Sequence, residues 1–106
     1  MTIKPNLHTR YPDAHDRELA QAFLSLKTTK EIQSFLRDLL TIAEIKEASK
    51  RFQIAKLLWQ GRKSYLQIAE THHTSTTTVT RVADWLKNQP YGGYRTILSR
   101  LYPKMK

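Results

Sequence analysis

An all-α fold of six helices is what this sequence predicts, and three observations carry that reading. Apolar residues recur at i, i+3, i+4 and i+7 in one segment after another, the stripe of an amphipathic helix. Boxes of the form Thr/Ser-x-x-Glu/Gln mark helix starts at Thr28, Thr41 and Ser64. No hairpin signal, repeat or low-complexity run occurs anywhere.

Taken in order, Met1 to Pro12 has two prolines and no period, and reads as a flexible arm before one helical domain over 13–106. Leu19, Ala22, Phe23 and Leu26 form the first stripe. Thr28-x-x-Glu31 opens a second helix with Ile32, Phe35, Leu36, Leu39 and Leu40 on its apolar face. Thr41-x-x-Glu44 restarts the chain at once, which implies a bend rather than one long rod. The third helix runs to about Trp59, with Ile45, Ala48, Phe52, Ala55 and Trp59 on one side. Ile54, Leu57 and Leu58 widen that face, and Gly61 follows as a helix end expects.

Ser64-x-x-Gln67 opens a short fourth helix whose inner face holds Tyr65, Ile68 and Ala69. Thr71 to Thr74 interrupt it. The next stretch, Thr74 to Val82, is nearly all β-branched, and propensity alone favours a strand. Periodicity overrides that preference: Val79, Val82, Ala83 and Leu86 keep helical spacing, and Ser75 is a good N-cap. A fifth helix over 75–87 is therefore expected, ended by Pro90 and Gly92-Gly93. Tyr94, Ile97, Leu98 and Leu101 give the sixth.

Charge is the informative part of the composition. The chain of 106 residues carries +9, and all of the excess lies in one part. Residues 1–45 are balanced, whereas residues 46–106 set twelve Lys/Arg against Glu47, Glu70 and Asp84 alone. Such a surface suits a polyanion, because neutralising phosphates releases condensed counterions. The chain lacks cysteine, which excludes a disulfide scaffold and any thiolate metal site. No run approaches the ~18 apolar residues of a membrane span, and the polar N-terminus has no signal core. No membrane partner is expected, and the cytoplasm is the expected compartment.

Two helices joined by a short turn, the second showing small polar residues outward, form a DNA-reading helix-turn-helix over about 64–86. At 100° per residue, the inward stripe of the fifth helix leaves Thr77, Thr80, Arg81 and Asp84 pointing out. Ser75, Thr76, Thr77, Thr78 and Thr80 then reach base edges in the major groove, where Thr hydrogen-bonds bases and its methyl meets thymine. Ser64 and Tyr65 start the preceding helix and suit phosphates, as do Lys46, Lys50, Arg51, Lys56, Arg62 and Lys63, and Arg81 joins the residues expected to contact DNA. Ala69 lets the second helix cross close above the first. The turn position that usually holds Gly is His73, a residue type that tolerates positive φ.

The residues LLTIAEIKEASKRFQIAKLLWQG, SYLQIAE, STTTVTRVADWL and GGYRTILSRL resemble the Trp repressor superfamily, and most closely its YerC/YecD branch. The likeness covers about residues 31–101. It implies a six-helix Trp-repressor-like fold, an intertwined homodimer and a palindromic operator in double-stranded DNA. It also implies an effector pocket: tryptophan-binding members hold their corepressor with residues matching Thr41, Arg51 and Arg81, all present here. A glycine beside the second arginine is Val82, and a nearby serine is Trp85. These two departures fall on the pocket and predict that L-tryptophan is not the corepressor, with Trp85 expected to plug the opening.

Other classes draw less from the sequence. An enzyme has little to build on, since Asp84 has no second carboxylate at helical spacing, and no catalytic residue, cofactor or metal is expected. His72 and His73 are loop neighbours without a third ligand. A DNA-binding module of a transposase or recombinase shares the same motif, and a non-DNA helical interaction protein shares the helices.

Overall fold

The computed structural model describes residues 10–104, so residues 1–9 of the predicted arm lie outside the described residues. The described residues form six helices and no strand: α1 (Ala14–Ser25), α2 (Thr29–Leu39), α3 (Ile42–Gln60), α4 (Tyr65–Thr71), α5 (Thr76–Lys87) and α6 (Gly93–Leu101). They fall into two compact units divided between Thr41 and Ile42.

In the first unit, α1 begins at a box that periodicity alone does not show. The Asp16 amide donates to the Asp13 carboxylate and the Asp13 amide to that of Asp16, both at 2.9 Å. The bond from the Asp16 backbone N–H is the largest of the effects that lower the Asp13 pKa. At α2 the predicted box closes with a shift. Thr28 accepts from the Glu31 amide at 3.1 Å, but the Glu31 carboxylate accepts from Lys27 rather than Thr28. Phe23 and Phe35 meet edge to face at 5.1 Å, a favoured ring geometry. Neither helix buries a residue completely, and Leu24 is 85% and Leu39 44% exposed.

The second unit holds the core. Ile54, Ala55, Ile68, Ala69, Val79, Val82, Leu86 and Leu98 form one buried cluster. Phe52, Leu57, Leu58, Trp59, Tyr94 and Tyr102 pack around it. Helix α5 is its centre and packs on α3, α4 and α6. The inward residues expected from its period, Val79, Val82, Ala83 and Leu86, are all buried. Burial explains why the β-branched run is helical: each large apolar side chain hidden contributes about 1.5–3 kcal/mol, more than the strand preference of a few threonines. Of the inner residues expected on α4, Ile68 and Ala69 are buried but Tyr65 is not. Tyr65 opens the helix at the unit's edge, where its hydroxyl accepts from Lys87 Nζ at 3.4 Å. Ala48, expected on the α3 apolar face, is exposed because the core engages only that helix's C-terminal half.

The turn between α4 and α5 sets their angle. The Ser64 box forms in full: Ser64 accepts from the Gln67 amide and donates its own to the Gln67 side chain. At the other end, His73 takes φ 51°, the left-handed conformation expected of the glycine position. The Thr74 amide then reaches back to the Ala69 carbonyl at 2.9 Å, and the His73 amide to Glu70 at 3.3 Å. Together these satisfy carbonyls that a helix end leaves open, as a Schellman motif does. Ser75 caps α5 by accepting from the Thr78 amide.

Two substitutions where α4 meets this turn have opposite expected signs. Ala69→Leu overfills the α4–α5 contact and costs about 1–3 kcal/mol. His73→Gly relieves the left-handed backbone and adds about 0.5–1 kcal/mol, the gain being reduced by glycine's larger unfolded-state entropy. Urea unfolding of both variants checks the pair, with an unchanged slope for His73→Gly.

Candidate functional site

The outward face of α5 is open to solvent. Ser75, Thr76, Thr77, Thr80, Arg81 and Asp84 are exposed and Thr78 is half-buried. Their hydroxyls do not behave alike. Thr80 donates to the Thr76 carbonyl within its own helix at 2.9 Å. Ser75 and Thr78 share a hydrogen bond at 3.1 Å while Ser75 caps the helix. Thr76 and Thr77 keep hydroxyls not spent on such bonds, so the face presents two free groups at its N-terminal end. Asp84 closes the face. Hydrogen bonds from Asn88 first and Gln89 second hold its carboxyl below the usual value.

The expected phosphate-binding cations spread over α3 and the segment after it. Lys50 is half-buried, and Arg62 and Lys63 are exposed around the α3–α4 connection. Lys56 places its ammonium 4.5 Å from the centre of the Tyr102 ring. Ser64 and Tyr65 stand at the start of α4.

Beside the outward face a cavity of about 450 Å³ opens between α3, α5 and α6. Arg51, Arg81, Val82 and Trp85, which the family resemblance placed around an effector pocket, line it. Thr41, the remaining expected member, ends the first unit immediately before α3. Trp85 is 51% exposed and forms a wall of the cavity rather than plugging it.

Glu47, Thr78 and Tyr94 complete the lining, and the sequence alone assigned neither Glu47 nor Tyr94 to the pocket. Glu47 was within reach of the sequence: it lies four residues before Arg51, one turn away, and its carboxylate stands 3.8 Å from the guanidinium. Tyr94 was not, because only the packing of α6 on α3 and α5 brings it in. Burial pushes its phenol pKa up, and the nearby Arg51 charge opposes that in part. The cavity thus combines two guanidiniums, one carboxylate, a phenol and an indole.

No helix of the described residues is long and apolar enough to cross a membrane. No group of three or more His, Cys, Asp or Glu among them is placed to hold a metal ion.

The described residues, six helices without a strand in which α5 turns a polar face outward from the core it centres, have a TrpR-like architecture, which solved structures share. A TrpR-like protein from Eubacterium eligens matches with a TM-score of 0.79 and 38% identity, covering 90% of this chain and 96% of that one. YerC from Bacillus subtilis, itself uncharacterized, is 36% identical over 88 residues, or 80% of this chain and 83% of YerC. A Trp operon repressor homolog from Chlamydia trachomatis is 34% identical over 71 residues, 63% of this chain and 76% of its own length. The family model described as Trp repressor protein matches residues 15–102. The chain belongs to the Trp repressor protein family, whose members are regulators rather than enzymes.

The cavity makes one electrostatic expectation. Tyr94 should ionise above the ordinary phenol value of 10.0. Arg51→Ala removes the opposing positive charge and should raise it further. ¹³C chemical shifts of labelled tyrosine followed with pH, assigned against Tyr94→Phe, measure both; a downward move in Arg51→Ala contradicts the assigned geometry.

Proposed function

We propose that this protein is a sequence-specific DNA-binding transcriptional regulator, acting as a repressor, that reads the major groove with α5. The observation that carries the proposal is the exposed N-terminal end of α5, with Thr76 and Thr77 hydroxyls open beside Arg81. Helix α4 and the His72–Ser75 turn hold that end clear of the core, which is the use of a helix-turn-helix. Family membership supports the same reading, as does the excess of cations in the second unit. Thr78 and Thr80 contribute methyl contacts, Ser75, Thr78 and Thr80 contribute hydroxyl oxygens as acceptors, and Lys50, Lys56, Arg62, Lys63, Ser64 and Tyr65 hold phosphates.

We propose further that two copies act together in the cytoplasm. The apolar residues of α1 and α2 stay partly or wholly exposed, although short amphipathic helices gain stability chiefly by burying that face. A second copy of the chain covers them in this reading. The operator is then a palindrome with half-sites about 34–36 Å apart.

Selection of bound fragments from random duplex DNA tests class and symmetry together, and a shared palindrome is the expected result. Thr77→Val should change the preferred bases and cost about 1–3 kcal/mol on the best site. Thr80→Val should cost less, since that hydroxyl proton is already donated within α5. Fragments without any common sequence would remove the proposal.

The effector, in this proposal, is not L-tryptophan. Val82 puts a stiff branched side chain at the cavity wall, where a flat ring needs close approach of backbone. Glu47, paired with Arg51, also meets any incoming carboxylate with like charge. Titration calorimetry should show no saturable heat with L-tryptophan at tens of micromolar. Saturable binding that also tightens operator binding would show the opposite.

A further inference from the structure

A second cationic feature stands where α3 ends and the chain leaves α6. Trp59, Gly61, Arg62, Lys87, Tyr102 and Lys104 line a cleft of about 560 Å³, and no Asp or Glu is among its lining residues. Ammonium groups lining it, and that of Lys56 beside it, rest on aromatic rings. Lys104 Nζ lies 4.3 Å from the centre of the Trp59 ring, and Lys56 Nζ 4.5 Å from that of Tyr102. Lys87 Nζ lies 5.9 Å from the Tyr65 ring centre. An ammonium over a ring face is held by the ring quadrupole while its outer N–H groups stay free.

The segment after α6 is fastened here as well. The Trp59 indole N–H donates to the Tyr102 carbonyl at 2.8 Å, and Tyr102 packs against the core. The segment Tyr102–Lys104 is therefore anchored with its cation pointing along the cleft. Arg62, Lys87 and Lys104 repel one another, and the carboxylates that commonly offset such a cluster are not among the lining. An anion satisfies all three.

Position selects the anion. Lys87 is the last residue of α5, and Arg62 lies between α3 and α4. The cleft thus adjoins the helix pair proposed to engage DNA, at the opposite end of α5 from Thr76. Helix α5 has 12 residues, so that end lies about 18 Å away at 1.5 Å per residue. This is no more than about five base-pair steps of 3.4 Å.

We propose that this cleft is a second phosphate site for duplex DNA, in which Lys87, Lys104 and Arg62 grip the backbone flanking the bases read by α5. Arg62 is shared with the contacts proposed above; Lys87 and Lys104 extend them. Trp59 is a positioning residue: its indole N–H fixes Tyr102, and its ring carries the Lys104 ammonium. The inference rests on α5 reading DNA.

The test uses the full chain with a selected duplex and a random-sequence duplex, binding being followed by fluorescence anisotropy across a salt series. Lys87→Ala and Lys104→Ala should each weaken both duplexes alike and reduce the slope of log affinity against log salt by about 0.9. Phosphate ethylation should interfere at sites within about five base pairs of the read bases, and Lys104→Ala should lose part of that interference. Trp59→Phe keeps every charge and a ring but loses the indole N–H, and should lower the slope as Lys104→Ala does. Sequence-dependent binding with slope and interference unchanged in both lysine variants would overturn this inference and leave the α5 reading intact. No duplex binding by the unmodified chain at low salt would overturn both. Tripolyphosphate shifting the Trp59 and Lys104 resonances where duplex does not would assign the cleft to small phosphorylated ligands and overturn the DNA site.

Discussion

The hydrogen bond from the Thr74 amide to the Ala69 carbonyl is where the rest of the second unit takes its form. It closes α4 only if His73 enters the left-handed region, and it reverses the chain in four residues so that α5 crosses α4 over the small Ala69 side chain. With that crossing fixed, the α5 stripe meets Ile54, Ala55 and Leu98 in one cluster. Whatever is not on that stripe must face outward. The exposure of Thr76, Thr77 and Arg81 is thus a consequence of core packing, and needs no separate device to hold it.

Electrostatics in the second unit follow two different patterns. In the cavity between α3, α5 and α6 the charges are mixed, with Glu47 beside Arg51 and a phenol whose ionisation burial opposes. At the end of α3 they are of one sign, and aromatic rings rather than carboxylates hold the ammonium groups. A carboxylate partner would cancel the field that a polyanion meets, whereas a ring steadies the cation and leaves its charge in place. The same residue types therefore form a mixed-charge cavity in one place and a surface of one sign in the other.

The first unit contributes differently. Its two helices are well capped, by the Asp13–Asp16 box and by Thr28, yet neither buries a side chain completely. Caps and a single Phe23–Phe35 contact fix local geometry, but the hydrophobic term that stabilises short helices is mostly unrealised within this unit. That imbalance between good local signals and missing burial is the physical argument for a partner surface.

By itself the sequence determined the helices, their starts and stops, and the inward face of α5, because these depend on spacing within one segment. Ser64-x-x-Gln67 states its cap in four letters, and Val79, Val82, Ala83 and Leu86 state their face in eight residues. It also placed the cations in one part of the chain, and resemblance to a family singled out Arg51, Arg81, Val82 and Trp85. Only the tertiary structure decided which of these residues meet what. Tyr94 enters the cavity, Trp85 becomes its wall, Tyr65 leaves the core for Lys87, and Tyr102 binds Trp59, a residue 43 positions away. Periodicity describes how a helix is turned about its own axis, but it does not say which other helix lies opposite; that is set by core packing, where the combined fit of α3, α4, α5 and α6 chooses one arrangement.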